Sequence, residues 1–278
     1  MSLLSPAGSG SRNDTAARGS AVIDARPRSC WNPPMQLSPP ITEPDALARA
    51  LSDAGHAVLS ARGVAELAGV PVGSFDGLAA AWNDLPPDPH LRDGGHYRAR
   101  RHASLIVDAL DGDASLAPHR AHFQPVEYNA LHGGLERWFA PVAADFLQAP
   151  AWRALLGALA TRLGRHADVG RWFVEAHQFR IDTRAGIGRP TPEGAHRDGV
   201  DFVAVVLVQR RDVKGGETRV FDADGPRGTR FTMSEPWSML LLDDARVIHE
   251  TTPIQPERDG GVRDTLVVTF RRGGFQAR

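Results

Sequence analysis

The stretch GRPTPEGAHRDGVDF, residues 188–202, sets an imidazole and a carboxylate one residue apart, at His196 and Asp198. An unbroken apolar run, Val203 to Val208, follows directly. On an extended chain alternate side chains share a face, so both groups can converge on one point. Two ligands do not hold a metal stably. The candidate third is His249 in LLLDDARVIHETTP. Two histidines and a carboxylate occupy one face of an octahedral ion and leave positions open, a set that favours non-haem Fe(II). A closed zinc site would more often use cysteine. The chain has 11 histidines, so the triplet alone is also compatible with ordinary structural residues. A zinc hydrolase with the same three ligands would need a general base near the metal-bound water, and Glu193 and Glu250 are available for that.

A second pair adds information. Arg263 and Thr265, in GGVRDTLVVTF, sit two apart at the start of a β-type run. A guanidinium pairs with a carboxylate in bidentate fashion, and a hydroxyl adds a donor. An ion pair of Arg263 with Asp264 on the surface is the plain alternative. The apolar surroundings of Arg263 favour an anionic ligand.

These residues need a scaffold that brings distant segments together. With 278 residues the chain can bury a large core, and its 42% apolar content is ordinary for a globular protein. A net charge of −1 gives no field to hold a polyanion, so neither nucleic acid nor an acidic membrane is an expected partner. The single cysteine, Cys30, cannot form an internal disulfide, and the N-terminus lacks the charged-then-apolar order of a signal peptide. A cytoplasmic protein is expected.

Residues 1–40, rich in small polar residues and proline, read as a disordered tail. A single domain is expected over 41–278, helical across 41–169 with a β core across 170–272. TEPDALARALSDAG offers Thr42 as N-cap, Pro44 in the first turn and Gly55 as terminator. VAELAGV and FDGLAAAWNDL suggest further short helices. Residues 86–113 read as loop, with the basic run HYRARRHA a solvated edge or part of a pocket for an acidic ligand. From Leu135, Trp138, Phe139, Val142, Phe146 and Leu147, helical spacing predicts a long helix. After Gly170, short β-type runs separated by KGGE, DADGPRG, SEP and DGG suggest an antiparallel sandwich or small barrel, with the helices on one outer face.

The order His196-x-Asp198, His249, Arg263-x-Thr265 resembles the Fe(II)/2-oxoglutarate-dependent dioxygenases. More narrowly, HQFRIDTRAGIGRPTPEGAHRDGVDFVAVVLVQRRDVKGGETRVFD, LLLDDARVIHETTPI and YNALHGGLERWFAP resemble the L-isoleucine dioxygenase-like group of bacterial free amino acid hydroxylases. The likeness spans residues 120–272 and leaves the tail and first helices uncovered. It implies an α+β fold, a double-stranded β-helix (jelly roll, cupin-like) with N-terminal buttressing helices. It implies Fe(II) on His196, Asp198 and His249, 2-oxoglutarate as co-substrate with its distal carboxylate on Arg263 and Thr265, and O2. The activity implied is C–H hydroxylation coupled to decarboxylation of 2-oxoglutarate to succinate and CO2. The carboxylate of Asp198 argues against halogenation, for which related enzymes carry a small residue there.

The substrate implied is a free L-amino acid, aliphatic or a cyclic imino acid such as pipecolate, used in specialised or antibiotic metabolism. A peptide or carrier-bound amino acid is the alternative, and a non-oxidative metal-binding cupin-like protein is a further one. Arg263-x-Thr265 argues against the last, since such a protein needs no dicarboxylate anchor. Within HQFRI, His177 and Phe179 share one face and Gln178 and Arg180 the other. Gln178 and Arg180 are expected to look into the barrel and meet the substrate. Tyr128, Asn129, Glu193 and Arg197 are further candidates. Gly194 and Gly199 are expected to serve loop geometry, and Asp243 and Asp244 to shape the turn before His249.

Overall fold

A computed structural model describes residues 38–129 and 131–278. The expected disordered tail falls, for residues 1–37, outside the described residues. In chain order the helices are α1 (Leu47–Ala54), α2 (Ala61–Ala68), α3 (Ala144–Gln148) and α4 (Pro150–Ala167), with 3-10 turns at Pro44–Ala46 and Asp76–Trp82. The strands are β1 (His56–Leu59), β2 (Arg98–Asp108), β3 (Ala114–Leu116), β4 (Arg171–Asp182), β5 (Phe202–Arg211), β6 (Val213–Gly215), β7 (Thr218–Asp222), β8 (Gly228–Phe231), β9 (Met239–Asp243), β10 (Val247–Thr251), β11 (Ile254–Pro256) and β12 (Val262–Arg271).

Seven strands form one antiparallel sheet in the order β1-β9-β5-β12-β4-β2-β3. A second sheet has the order β10-β7-β8, and β11 pairs with β6. This is the expected α+β jelly roll. Alternation along the central strands decides its two faces. Trp172, Val174 and Ala176 of β4, Ala204 and Val206 of β5, and Leu266, Val268 and Phe270 of β12 join one apolar cluster. Into that cluster α4 delivers Trp152, Leu155, Leu156, Leu159 and Leu163, spaced for one helix face. Pro150 opens this helix, and Asp168, at φ 53°, ends it. The Trp172 indole donates to the Ala160 carbonyl at 3.0 Å, fixing helix to sheet. Replacing that buried ring by alanine would cost about 3–5 kcal/mol. The opposite face carries Val203 and Leu207 against Val220, Phe231 and Val247, closing the space between the two larger sheets. None of the described helices is long and apolar enough to cross a membrane.

Four expectations for the N-terminal half are corrected. The segment 41–169 is not purely helical, because β1, β2 and β3 lie within it and extend the large sheet. The basic run is neither a loop nor a solvated edge: it is β2, paired with β4 from Arg98↔Ile181 to Asp108↔Arg171. The helix predicted around Leu135 begins only at Ala144. Leu135 and Trp138 are exposed, and Arg137 and His122 bridge to each other as extended chain. Thr42 caps no helix; its amide donates to Val58 O at 2.7 Å, while Gly55 closes α1 in the left-handed region as expected.

Candidate active site

His196 and His249 face each other across an isolated antiparallel bridge, with reciprocal backbone hydrogen bonds of 3.0 Å. That local ladder brings the loop after β4 against β10. Asp198 follows on the same loop. One ligand atom from each of His196, Asp198 and His249 lies within 4.8 Å of the others. His196 Nδ1 donates to Gly194 O at 2.9 Å, which leaves Nε2 free to ligate. The Asp198 carboxylate sits 3.8 Å from Nε2 of each histidine, through Oδ1 to His196 and Oδ2 to His249. Burial pushes the His249 imidazole well below its ordinary pKa, and His196 adds to this. For His196 burial acts the same way, but Asp198, Glu193 and the Gly194 carbonyl outweigh it and the pKa rises. Two imidazoles and one carboxylate at this spacing fit a divalent ion with open positions.

The loop is pinned from behind. The Asp244 carboxylate accepts from the backbone N–H groups of Asp198 (2.9 Å), Gly199 (2.7 Å) and Val200 (3.1 Å). Burial, with Asp198 nearby, pushes the Asp244 pKa up to about 6 despite those donors. Asp244 thus holds the Asp198 turn, a larger role than the turn before β10 expected from sequence. Gly199 requires its residue type. Its φ is +75°, and a Cβ there would stand 2.4 Å from the Tyr128 ring. Gln276, near the C-terminal end, donates to the Asp198 and Gly199 carbonyls at 3.2 and 2.7 Å.

One cavity contains the triad together with Arg263 and Thr265. Both of the latter are buried. Among the described residues, Arg263 Nε and Nη2 have no hydrogen-bond partner. Burial, then Arg210, pulls the Arg263 pKa down to about 10. A buried guanidinium with idle donors is costly unless an anion meets it. The plain alternative is removed, because Asp264 faces away and takes a bidentate pair from Arg180 at 2.8 and 2.7 Å.

That pair also corrects the substrate expectation. Arg180 and Gln178 do not line the cavity; His177 and Phe179, on the other face of β4, do. Gln178 is fully buried on the helix side, where the neighbouring Trp82 indole bonds Phe179 O and Thr265 O. Tyr128 is not part of the lining either. It packs on Gly199, and the Arg197 guanidinium sits 5.9 Å over its ring. Glu193 and Asn129 do line the cavity. Glu193 Oε1 lies 3.6 Å from His196 Nε2, and its Oε2 is buried without a partner among the described residues.

Arg98 and Arg100 belong to the basic run for which a pocket was the other expectation, whereas Gln124, His122, Arg137 and Glu175 carried no expectation. Gln124 Nε2 donates to Asp198 Oδ1 at 2.9 Å, while its Oε1 accepts from Arg137 Nη2 (3.0 Å) and Asn129 Nδ2 (3.1 Å). Arg98, Arg100, His122, Arg137 and Glu175 also line the wall. The alternation of β2 was the one available signal: Arg98, Arg100 and His102 share a face.

A family model for 2OG-Fe dioxygenases matches residues 79–269. A crystal structure of a bsmA homolog from Methylobium petroleophilum PM1 is 50% identical, with TM-score 0.82, over 87% of this chain and 99% of that one. The crystal structure of IDO from Bacillus thuringiensis aligns with TM-score 0.65 at 20% identity, over 86% of this chain and 99% of that one. The Fe(II)/(alpha)ketoglutarate-dependent dioxygenase TqaL aligns with TM-score 0.61 at 18% identity, over 84% and 90%. These last two show likeness of fold. No curated protein matches the chain.

Proposed function

Because the chain belongs to the 2OG-Fe dioxygenase family, we propose that it hydroxylates a free L-amino acid, aliphatic or a cyclic imino acid, as members of the L-isoleucine dioxygenase-like group do. The observation that carries this reading is the pairing, in one cavity, of two histidines and a carboxylate with a buried, unpartnered Arg263. When bound, Fe(II) supplies O2 activation, coupling decarboxylation of 2-oxoglutarate to insertion of one oxygen into a C–H bond.

The chain's own residues then have defined tasks. His196, Asp198 and His249 present Nε2, one carboxylate oxygen and Nε2 to the ion. Gly194 O holds the His196 ring, and Gln124 holds the Asp198 carboxylate. Arg263 and Thr265 meet the distal carboxylate of 2-oxoglutarate. Val200, Val205 and Val267 give the cavity apolar walls that keep bulk water from the reacting carbon. Asp198 supports hydroxylation over halogenation, since it fills the position a halide would take.

The test is a substrate screen. The protein with Fe(II), 2-oxoglutarate and O2 is incubated with each standard L-amino acid and with proline and pipecolate. Succinate and a product heavier by one oxygen are followed by mass spectrometry. At least one compound should give both. Succinate without any hydroxylated amino acid would move the reading to a peptide or carrier-bound substrate. No dependence on 2-oxoglutarate would end it.

A further inference from the structure

The proposed chemistry leaves one wall of the cavity without a task. From β2, Arg98 and Arg100 alternate into the cavity opposite Ile181 and Phe179 of β4, and Arg137 joins them. Each of the three is no more than 6% exposed. Arg98 Nε donates to Asp88 at 2.7 Å, Arg100 Nη2 to His177 Nδ1 at 2.7 Å, and Arg137 Nη2 to Gln124 at 3.0 Å. Among the described residues, Asp88 is the sole carboxylate within ion-pair distance of the three, 2.7 Å from Arg98 and 3.9 Å from Arg100. Glu175 lies nearby, but it is occupied by Arg120, His102 and His122.

Within ion-pair distance three guanidinium charges therefore meet one carboxylate, while Glu175 acts on Arg100 and Arg137, and Glu193 on Arg137, from further away. Arg98 Nη2, Arg100 Nε and Arg137 Nε are buried without a partner among the described residues. Arginine does not escape such a position by losing its proton. Burial nonetheless pulls Arg137 down to about 10 and Arg100 well below its ordinary value, as expected where counter-charge is missing. Arg100 is also held in place, its guanidinium 3.7 Å from the Phe139 ring centre and 4.3 Å from that of Phe179.

The same wall holds a second cluster of potential metal ligands, His102, His122, Glu175 and His177, with ligand atoms within 4.8 Å of one another. Its surroundings oppose a cation. Arg100 already donates to His177, Arg120 donates to Glu175, and both guanidinium charges would repel a second ion. Excess positive charge calls for an anion instead.

We propose that Arg100 and Arg137, backed by Arg98, bind the free carboxylate of the substrate. The inference rests on the dioxygenase reading, in which Arg263 is already committed to 2-oxoglutarate. The cavity then has two separate carboxylate sites. A thioester or amide presents no charge to this wall, so carrier-bound amino acids and internal peptide residues do not fit it. Glu193, with its idle Oε2 in the same cavity, supplies the acceptor for the ammonium of a zwitterion.

The test compares acids with their amides. The protein loaded with Fe(II) and 2-oxoglutarate under nitrogen is titrated by calorimetry with the standard L-amino acids and with their primary amides. At least one acid should bind, and its amide should bind about 100-fold more weakly, the loss expected from two charge-assisted hydrogen bonds. R137Q should weaken the acid by a similar factor and leave 2-oxoglutarate affinity within about twofold of the parent. An amide that binds as well as its acid overturns the proposal, as does a folded R137Q with unchanged affinity for the acid. The acid–amide comparison needs no variant, so a misfolded R137Q does not shield the idea. If 2-oxoglutarate binds and no acid does, this inference fails and the dioxygenase reading stands. If an acid binds in an Arg137-dependent way and 2-oxoglutarate does not bind, the reverse holds.

Discussion

Gln124 joins Asp198 to Arg137 through a single side-chain amide: its Nε2 donates to the carboxylate at 2.9 Å and its Oε1 accepts from the guanidinium at 3.0 Å. The proposed metal ligand and the cationic wall are thus oriented by the same residue. An amide fixed at both ends holds one carboxylate oxygen and would leave the other for the proposed ion.

Replacing Gln124 by leucine keeps the volume and removes all three of its side-chain bonds, to Asp198, Arg137 and Asn129. Fe(II) affinity should fall about 10- to 100-fold, measured by anaerobic metal titration. An unchanged metal affinity would show that Asp198 needs no such support.

Asp198→Gly removes one of three proposed ligands. Hydroxylation should be lost and bound iron should fall, read by product mass and metal content. Full activity in this variant would sink the ligand assignment.

Arg263→Ala should raise the dissociation constant for 2-oxoglutarate about 100-fold, because a paired carboxylate and a bidentate donor are lost together. Fe(II) affinity should change less than about twofold. Thr265→Val should cost only a few-fold, as one neutral donor contributes about 1 kcal/mol. Equal loss of both ligands in Arg263→Ala would point to misfolding.

Acid should destabilise the protein through the buried histidines of the cavity wall. Burial holds the His122 pKa down to about 4 and lowers His102 and His177, against the pull of Glu175 on the first two. Arg100 pushes all three in the same direction as burial, joined by Arg137 at His122 and His177 and by Arg120 at His102. In the unfolded chain these rings bind a proton near pH 6.5. Between there and about pH 4 the unfolded state binds more protons, so stability is complete above about 6.5 and is lost as pH falls. His122 contributes about 1.4 kcal/mol per pH unit across that window, and His102 and His177 add loss in the same direction. Glu175, held well below the ordinary carboxylate range by His122 and His102 although burial opposes this, adds loss at still lower pH. Melting temperature should therefore drop from pH 7 to pH 5, and His122→Gln should flatten the slope. A constant melting temperature over that range would contradict it.

The proposed ligands and the proposed co-substrate anchor could be picked out because each is short in sequence: a triplet before an apolar run, then an Arg and a Thr on one strand. The facing of β4 was not. HQFRI carries polar groups on both sides, so no apolar asymmetry tells inside from outside. The pairing Arg100↔Phe179 and His102↔His177, across a long sequence separation, decides it. The strand RARRHASLIVD reads as solvated because its charges precede its apolar half, and only the cavity explains why they are buried. Around Leu135 the helical spacing was real but incidental: Gly134, at φ +74°, and Pro141 interrupt the chain there. Gln124 carried no local signal, since its role exists only once Asp198 and Arg137 are beside it.

The bridge between His196 and His249 confines the proposed metal ligands to two neighbouring segments in the C-terminal half, whereas the cationic wall is drawn from β2, β4 and the chain around Arg137. Gln124 is the residue that hydrogen-bonds to both Asp198 and Arg137. Descent can therefore act on the two regions at different rates. Duplicated copies of such a gene could retain one oxidative step intact while β2 is rewritten, and the range of compounds oxidised would widen without the oxidation having to be reinvented.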